Sequence, residues 1–269
     1  MTMASRPTST DKAARWAAIL DHLAQHGRLE VADAAELLGV SEATIRRDFT
    51  ELSERQLVTR KHGGIVATSV AYELPYRYRS SMHDSAKLDI AKAAAALVKP
   101  GDVVGVNGGT TTTAVAREIT SRSDLVGDLA GELTLVTNAL NIASEAVLRP
   151  HVQCVSLGGI AQPGSYEVTG PLAALVLDQL WIDIAILGVN GITASEGATC
   201  RHEAEAAICS HMARRSSQVV VVATGDKVGA RTFAAIRPAN EIDVLVTDRT
   251  APAPALERLR DAGLEILQV

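Results

Sequence analysis

Residues 39–66 constrain the fold of this chain more than any other stretch, because they combine a helix start with a glycine-tipped hairpin. Ser41 is a typical helix cap, since its hydroxyl can accept a hydrogen bond from the backbone N–H of Ala43 or Thr44. Gly39 is typical of the end of a preceding helix. These residues predict a helix over 42–53. Its buried stripe has the i, i+4, i+7 spacing and consists of Ile45, Phe49 and Leu52.

The opposite face of this helix carries residues that suit the major groove of DNA. At about 100° per residue, Arg47 points away from the apolar stripe and Arg46 lies on its flank. Arginine can donate two hydrogen bonds to guanine, and threonine can touch a thymine methyl group or a phosphate. The alternative interpretation is an ordinary solvated helix face. The candidate DNA-binding residues on the helix are Ser41, Ala43, Thr44, Arg46, Arg47 and Thr50.

The neighbouring sequence favours DNA binding. Two amphipathic helices are predicted upstream, the first ending at Gly27 and the second at Gly39. Downstream, residues 57–60 and 65–67 can pair as strands, with 61–64 as their turn. Three short helices and a hairpin make a winged helix-turn-helix, whose candidate wing contacts to DNA are Arg60, Lys61 and His62. The predicted buried residues of the upstream helices are Trp16, Ile19, Leu20 and Leu23, and then Val31, Ala35 and Leu38.

Residues 15–64 resemble the DeoR family of bacterial transcription regulators. The resemblance rests on the motif Val-Ser-x-x-Thr-Ile-Arg-Arg-Asp at 40–48 and on Arg-x-His-Gly-Gly at 60–64. Phe49 stands where the family usually has Leu, and Gln56 where it usually has Gly before the wing. Phe49 keeps the helix face apolar, so only the local turn at Gln56 departs from the pattern. The resemblance implies that this domain binds double-stranded operator DNA.

The overall charge would not by itself predict a DNA-binding protein. The chain of 269 residues has a formal net charge of -5, and residues 1–66 hold nine basic and nine acidic residues. Residues 43–64 have five basic residues against three acidic ones, a surplus of two. Because this surplus is small, we expect several copies to bind together, as a homo-oligomer that is a dimer or a tetramer.

The sequence also bears on location and metal binding. Residues 1–10 are polar, and no run approaches the roughly 20 apolar residues of a membrane span, so we expect a cytoplasmic protein with no membrane partner. We predict no metal site, because the three cysteines lack C-x-x-C spacing. Cys200, His202 and His211 could imitate one, but they are predicted to share a helix with Cys209 and lack zinc-ligand spacing.

Residues 68–83 form a predicted linker between a DNA-binding domain, 1–67, and a larger domain, 84–269. The linker holds three of the four tyrosines and a proline, which disfavours a continuous helix. Its tyrosines either anchor the DNA-binding domain to the larger domain or to a neighbouring subunit, or are simply packed within the linker.

From residue 84 the chain alternates between helical segments and short apolar runs. A helix is predicted over 84–98, and the first run follows at 103–106. Continuous apolar strands imply a mostly parallel sheet covered by helices on both faces. The predicted fold class is therefore α/β, with a Rossmann-like sheet after the winged helix. The further runs lie at 133–137, 152–157, 182–188, 218–223, 242–246 and 264–268.

Polar residues follow the ends of these runs, where open parallel sheets bind ligands. The first such loop leads into a helix around 114–119, so its N–H groups and threonine hydroxyls can form an anion cradle, to which Lys227 could add a positive charge. A plain strand-to-helix turn is the alternative, but the convergence of several such loops favours a site for a small phosphorylated ligand. The candidate effector-binding residues are Asn107, Gly109, Thr110, Thr111, Thr137, Asn138, Gly158, Gly159, Asn190 and Lys227.

This second part also resembles the DeoR family, whose C-terminal sensor domain is similar in fold to sugar-phosphate isomerases and CoA transferases. The family commonly has Asp where Asn107 and Thr224 stand, Ser at 226 and Phe at 228. The loss of two carboxylates implies a less usual effector or a changed mode of effector binding. The matching elements are Arg79, Lys87 with Ile90 and Ala91, Gly109 to Thr111, Thr137 with Asn138, Gly158 with Gly159, Gly170, and 226–229.

Two functions are compatible with these features. The first is a repressor of a carbohydrate operon that a phosphorylated sugar releases from DNA. The second is a sugar-phosphate isomerase-like enzyme with an appended winged helix, in which Glu196 or Asp226 would be the general base. No spaced set of His, Asp and Glu residues supports the enzyme. We therefore favour the regulator and predict no catalytic residues and no cofactor.

Overall fold

The computed structural model describes residues 12–26, 28–54, 58–61, 63–66, 84–125, 133–162 and 164–269. The chain divides into two compact units, residues 1–81 and 82–269. The predicted linker at 68–83, with its tyrosines and Arg79, lies outside the described residues, as does His62.

The first unit contains the predicted three helices and hairpin. Helix α2 ends at Gly39, whose φ of 66° is in the left-handed region, as expected of a glycine C-cap. A short strand that sequence reasoning missed, β1, pairs antiparallel with the second wing strand. The described elements are α1 (Lys12–His26), β1 (Arg28–Glu30), α2 (Val31–Leu38), α3 (Glu42–Glu54), β2 (Thr59–Lys61) and β3 (Gly64–Val66).

The buried face of this unit differs from the prediction at one position. Ile45, Phe49 and Leu52 are fully buried, as their spacing predicted. On α2, however, the structure buries Ala34, whereas Ala35 is half-buried. Both wing strands extend one residue further into the predicted turn than expected, since β2 ends at Lys61 and β3 begins at Gly64, and these two residues pair.

The second unit is built on a sheet of seven parallel strands within its described residues. Each strand coincides with one of the predicted apolar runs, to within two residues at either end. These strands are β4 (Val103–Val106), β5 (Leu133–Thr137), β6 (Val152–Ser156), β9 (Ile182–Gly188), β12 (Ser216–Ala223), β14 (Val244–Thr247) and β15 (Glu265–Gln268).

The strand order is β15-β14-β12-β9-β4-β5-β6, which places the first strand of the sheet, β4, in its interior. From β4 the chain adds β5 and β6 on one side and then returns to add β9 and the remaining strands on the other. The point between β4 and β9 is therefore a topological switch point, where open parallel sheets bind ligands at their carboxyl edge.

Six helices and two small sheets complete the described part of this unit. Apolar clusters cover both faces of the main sheet, which accounts for the continuous hydrophobic strands. The first helix ends at Ala95, three residues earlier than predicted. The helices are α4 (Asp84–Ala95), α5 (Thr110–Ser121), α6 (Leu140–Ala146), α7 (Pro171–Leu177), α8 (Glu203–Arg214) and α9 (Ala253–Asp261).

The two small antiparallel sheets were not predicted, because their strands are only two to four residues long. One of them corrects a prediction: Cys200 ends a strand and does not share a helix with Cys209, since α8 begins only at Glu203. The strands are β7 (Ile160–Ala161) with β8 (Val168–Thr169), and β10 (Gly191–Thr193) with β11 (Gly197–Cys200) and β13 (Ala234–Arg237). None of the described helices is long and apolar enough to cross a membrane.

Candidate functional sites

The N-terminus of α3 is capped and its outer face is exposed, as the sequence predicts. The backbone N–H of Thr44 donates to Ser41 Oγ over 3.2 Å, and the two hydroxyls lie 2.9 Å apart. Ala43 and Arg47 are exposed on the same face. The helix therefore presents its N-terminal turn and a basic side chain to solvent.

The arginines on this face have different surroundings. Arg46 forms an ion pair of 2.9 Å with Glu42 one turn earlier, which neutralises part of its charge. Arg47 has no ion-pair or hydrogen-bond partner among the described residues. Of the two, Arg47 is therefore the side chain that can reach a base edge without first breaking an ion pair.

The wing contacts the helix through one of the predicted DNA-binding residues. Arg60 Nη1 donates to Thr50 Oγ1 over 2.9 Å, and that hydroxyl in turn donates to the carbonyl oxygen of Arg46 over 2.8 Å. Lys61, next along the wing, is exposed. Thus Arg60, which is predicted to contact a phosphate from the wing, also connects β2 to α3.

A buried ion pair that sequence reasoning missed holds α3 against α1. Asp48, 3% exposed, accepts hydrogen bonds from Arg15 Nε at 2.8 Å, Arg15 Nη2 at 3.0 Å and Trp16 Nε1 at 2.9 Å. The burial of Asp48 could have been predicted from the sequence, because it follows Ile45 by three residues and so lies beside the buried stripe of α3. Asp48 therefore fixes the orientation of the helix that carries Arg47.

In the second unit, Asn107 joins the two strands at the switch point. Its Oδ1 accepts from the backbone N–H of Gly188 at 2.7 Å, and its Nδ2 donates to the carbonyl oxygen of Gly188 at 3.0 Å and to Cys209 Sγ at 3.3 Å. An Asp side chain could accept the first bond but could not, as a carboxylate, donate the second. Asn107 thus holds the ends of β4 and β9 together and positions the loop that follows.

That loop leads directly into α5, as predicted. The hydroxyls of Thr112 and Thr113 both donate to the carbonyl oxygen of Gly109, at 3.2 Å and 2.8 Å. Thr111 is 3% exposed, and its Oγ1 has no hydrogen-bond partner among the described residues. An unpaired hydroxyl in the first turn of a helix is an available ligand donor beside the N–H groups.

The loop after β5 contributes a second unpaired polar atom. Thr137 Oγ1 accepts a hydrogen bond from the backbone N–H of Ala139 at 3.1 Å, so part of its hydrogen-bonding capacity is already used. Asn138 Nδ2 donates to Glu167 Oε1 and to the carbonyl oxygen of Val168, each at 3.3 Å. Asn138 Oδ1, however, has no partner within the described part of the chain.

Glu167 is the residue at this edge that sequence reasoning did not identify. It is 4% exposed, and its Oε1 accepts the backbone N–H of Gly108 at 2.9 Å in addition to Asn138 Nδ2. A Cβ atom on Gly108 would come within 2.3 Å of Glu167 Cγ, so glycine is required there for this contact. Burial, followed by the nearby charge of Glu205, raises the pKa of Glu167 to about 8.

The two thiols near these carboxyl groups are also perturbed. Burial, as the largest cause, raises the pKa of Cys200 to about 11, and it raises the pKa of Cys209 well above its ordinary value. Both thiols are therefore protonated at neutral pH. No group of three His, Cys, Asp or Glu side chains among the described residues is arranged to hold a metal ion.

The other predicted effector residues lie in the loops that follow β6, β9 and β12. Asn190 Oδ1 accepts the backbone N–H of Arg201 at 3.2 Å, and Lys227 lies half-buried in the turn after β12. Gly158 and Gly159 are exposed beyond β6, at the edge of the sheet. Gly159 allows a close approach to the backbone of Thr169, since its Cβ would lie 2.4 Å from that carbonyl oxygen.

Three further features bear on the choice of site. Glu196 and Asp226, the alternative catalytic bases, are both exposed. An open groove of about 730 Å³ lies between α7, α8 and the start of β13, and none of the predicted effector residues lines it. The strand-edge loops are therefore identified by topology and unpaired polar atoms rather than by this groove.

Comparisons with known proteins cover both units. Residues 15–70 match the DeoR-like helix-turn-helix domain, and residues 82–249 match the DeoR C terminal sensor domain. The chain is 30% identical over 254 residues to a putative aga operon transcriptional repressor from Escherichia coli O157:H7, covering 93% of this chain and 91% of the relative. It is also 30% identical over 254 residues to the HTH-type transcriptional repressor GlcR of Bacillus subtilis, covering 94% and 95%.

Among solved structures, ribose 5-phosphate isomerase A from Methanocaldococcus jannaschii aligns with 58% of this chain and 56% of its own, at 17% identity and a TM-score of 0.38. A likeness of this degree does not support a shared activity.

Proposed function

The chain belongs to the DeoR family of transcription regulators, and we propose that it represses a carbohydrate operon until a phosphorylated sugar binds its second unit. It is a regulator rather than an isomerase, since relatives that it matches over nine-tenths of their length are named as repressors. We infer that its macromolecular ligand is the double-stranded DNA of the operator and that it acts in the cytoplasm, where this DNA is found.

Operator recognition is assigned to the exposed face of α3. Arg47 contacts base edges in the major groove, with Ala43 and Thr44 on the same face close to the DNA. Lys61 contacts a phosphate from the wing, and Arg60 combines a phosphate contact with its bond to Thr50. The observation that carries this assignment is the exposed, unpaired Arg47 on a helix that Asp48 anchors from behind.

Operator binding requires more than one copy of the chain. The first unit has only a small surplus of positive charge, so one copy neutralises few phosphates. Two recognition helices of a homodimer would read half-sites about one helical turn, roughly 34 Å, apart. A dimer, or a tetramer built from dimers, would supply the affinity that one copy lacks.

The effector site is assigned to the carboxyl edge at the switch point. Backbone N–H groups at the start of α5 suit a phosphate, and the unpaired Thr111 Oγ1 and Asn138 Oδ1 suit its oxygens or the sugar hydroxyls. Binding of the sugar phosphate lowers operator affinity by favouring a different arrangement of the subunits.

The test is a titration of the full-length protein onto the DNA upstream of its own gene, at two salt concentrations, with and without a panel of sugar phosphates. Random DNA of the same length is the control. Tight, salt-sensitive operator binding that one sugar phosphate weakens is the expected result. Equal affinity for operator and random DNA, or no effect of any sugar phosphate, would contradict the proposal.

A further inference from the structure

We propose that Glu167 is an internal competitor for the effector's anionic group, because its carboxyl group accepts the backbone N–H of Gly108 and an incoming anion takes its place. This inference rests on the effector site proposed above, and it adds a mechanism by which that site is kept closed to weak anions.

The first argument is the identity of the donors that Glu167 uses. Its Oε1 accepts hydrogen bonds from the N–H of Gly108 and from Asn138 Nδ2, at 2.9 Å and 3.3 Å. Gly108 belongs to the loop between β4 and α5, and Asn138 to the loop that follows β5. A phosphate oxygen at this edge would need those same donors, so Glu167 and the phosphate cannot both use them.

The second argument is the unpaired atoms close to this contact. Thr111 Oγ1 and Asn138 Oδ1 are buried without a partner among the described residues, although Asn138 Nδ2 is bonded to Glu167. In native proteins, buried polar atoms normally have a hydrogen-bond partner. The carboxyl group of Glu167 therefore forms hydrogen bonds with only some of the polar atoms in these loops.

The third argument is that the placement of Glu167 is electrostatically unfavourable. Its carboxyl group is buried and shares a hydrogen bond with a second carboxyl group, that of Glu205 on α8. Two neighbouring carboxyl groups cannot both ionise without strong repulsion. A contact of this kind is easier to displace than an amide or hydroxyl contact of the same geometry.

The backbone around Glu167 stays in place while its side chain leaves. The N–H of Val168 donates to the carbonyl oxygen of Asn138 at 2.7 Å, and the N–H of Leu140 donates to that of Tyr166 at 2.9 Å. These bonds fix both neighbours of Glu167 to the chain that leads into α6. Displacement therefore needs rotation of one side chain and not the unfolding of β7 and β8.

The protonation state of Glu167 sets the strength of the competition. Among ionisable groups, Glu205 on α8 raises the pKa of Glu167, and Glu167 in turn contributes to the raised pKa of Cys209 on α8 and of Cys200 on β11. Since its pKa is about 8, the carboxyl group is mostly neutral at pH 7 and binds the Gly108 amide weakly. At higher pH the carboxylate both holds the amide more strongly and repels an anion.

The test measures the Kd of inorganic phosphate for the full-length protein at pH 9, in the wild type, Glu167→Ala and Glu167→Gln. The exposed Glu257 on α9 provides the matched control, Glu257→Gln. We expect Glu167→Ala to bind phosphate at least about tenfold more tightly than wild type, because removing an occupying group raises the fraction of binding-competent protein. Glu167→Gln, which keeps an acceptor oxygen without the charge, should fall between them, and the control should match wild type.

Amide hydrogen exchange of residues 107–112 locates the anion, since bound phosphate should slow exchange there. If phosphate protects these amides in the wild type but binds Glu167→Ala and Glu167→Gln no more tightly, Glu167 is not a competitor and only this inference fails. If phosphate neither binds nor protects these amides in any of the proteins, the proposed effector site is wrong and this inference fails with it.

Discussion

Arg60 on the wing donates a hydrogen bond of 2.9 Å from Nη1 to Thr50 Oγ1 on the recognition helix α3. The wing and the helix are therefore connected through a basic side chain that also suits a phosphate. Because the Thr50 hydroxyl donates a hydrogen bond to the carbonyl oxygen of Arg46, this contact extends to the backbone of the face that we assign to DNA.

The first prediction concerns Arg60→Ala. Loss of a phosphate contact should weaken binding to operator and to random DNA by similar factors and reduce the slope of log affinity against log salt by about 1. Fluorescence anisotropy at several salt concentrations measures both quantities. Thr50→Val removes the acceptor but keeps the charge of Arg60, so it should leave the salt slope unchanged. An unchanged slope in Arg60→Ala would show that Arg60 serves only the contact with Thr50.

Arg47→Ala should affect operator binding selectively. If Arg47 makes two hydrogen bonds to a base, its loss should cost about 1–3 kcal/mol on the operator and much less on random DNA. Arg46→Ala is the comparison, because Arg46 is already paired with Glu42 and should cost less. The same loss on both DNAs for Arg47→Ala would assign this side chain to phosphate rather than to a base.

Asp48→Asn should destabilise the first unit. The change removes one partner of a buried ion pair with Arg15, which typically costs about 3–5 kcal/mol because the remaining charge stays buried. Thermal unfolding followed by circular dichroism should show a lower midpoint for this unit. Glu42→Gln, which removes the exposed ion pair with Arg46, should cost at most about 1 kcal/mol. Equal effects of the two changes would argue against a structural role for the buried pair.

The sequence predicted those parts of the fold that have a strong local pattern. The strands of the parallel sheet are four to eight residues long and rich in apolar residues, such as Val103–Val106, and each was found. Several of the strands that were missed have only two or three residues, too few for a periodicity to be recognised, whereas the equally short wing strands were predicted from the glycine-containing turn between them. The error at Cys200 has the same origin, since a strand of four residues runs almost directly into α8.

The effector-site prediction was limited by contacts between distant parts of the chain. Glu167 lies 59 residues from Gly108 and 29 from Asn138, and no local pattern relates these positions. Similarly, Asn107 was predicted as a ligand contact because it follows a strand. Its bonds to Gly188, 81 residues away, give it a positioning role that no local pattern reveals, while the ligand contact stays a prediction.

Thr111→Val should weaken effector binding without lowering the stability of the protein. Because the Thr111 hydroxyl is buried without a partner, its removal should leave the free energy of unfolding unchanged or raise it by up to about 1 kcal/mol. The same change should weaken the response of operator binding to the active sugar phosphate. Thr113→Val, on the same helix, removes bonds to Gly109 and Asn141 and should cost about 1–2 kcal/mol. A stability loss in Thr111→Val equal to that in Thr113→Val would contradict the assignment.

The stability of the second unit should fall as the pH rises, because of Glu167. Its pKa is raised from 4.5 to about 8 in the folded protein, so between these values the unfolded chain releases a proton that the folded chain keeps. The free energy of unfolding should therefore decrease across this window, by up to about 1.4 kcal/mol per pH unit, and level off above pH 8. The pKa of Glu145 is lowered, chiefly by its hydrogen bond from Arg117, so its contribution is lost only below pH 4.5, outside this window.

Urea unfolding of wild type, Glu167→Gln and the control Glu257→Gln between pH 5.5 and pH 9 measures this dependence, with roughly 1 pH unit between samples sufficient to resolve such a slope. Glu167→Gln cannot lose a proton in this range, so its curve should be flatter than that of wild type, and it should be the more stable of the two at pH 9. The control should keep the wild-type slope. If Glu167→Gln kept that slope as well, another ionisable group would have to be responsible, and the pH dependence that we expect of anion binding would lose its physical basis.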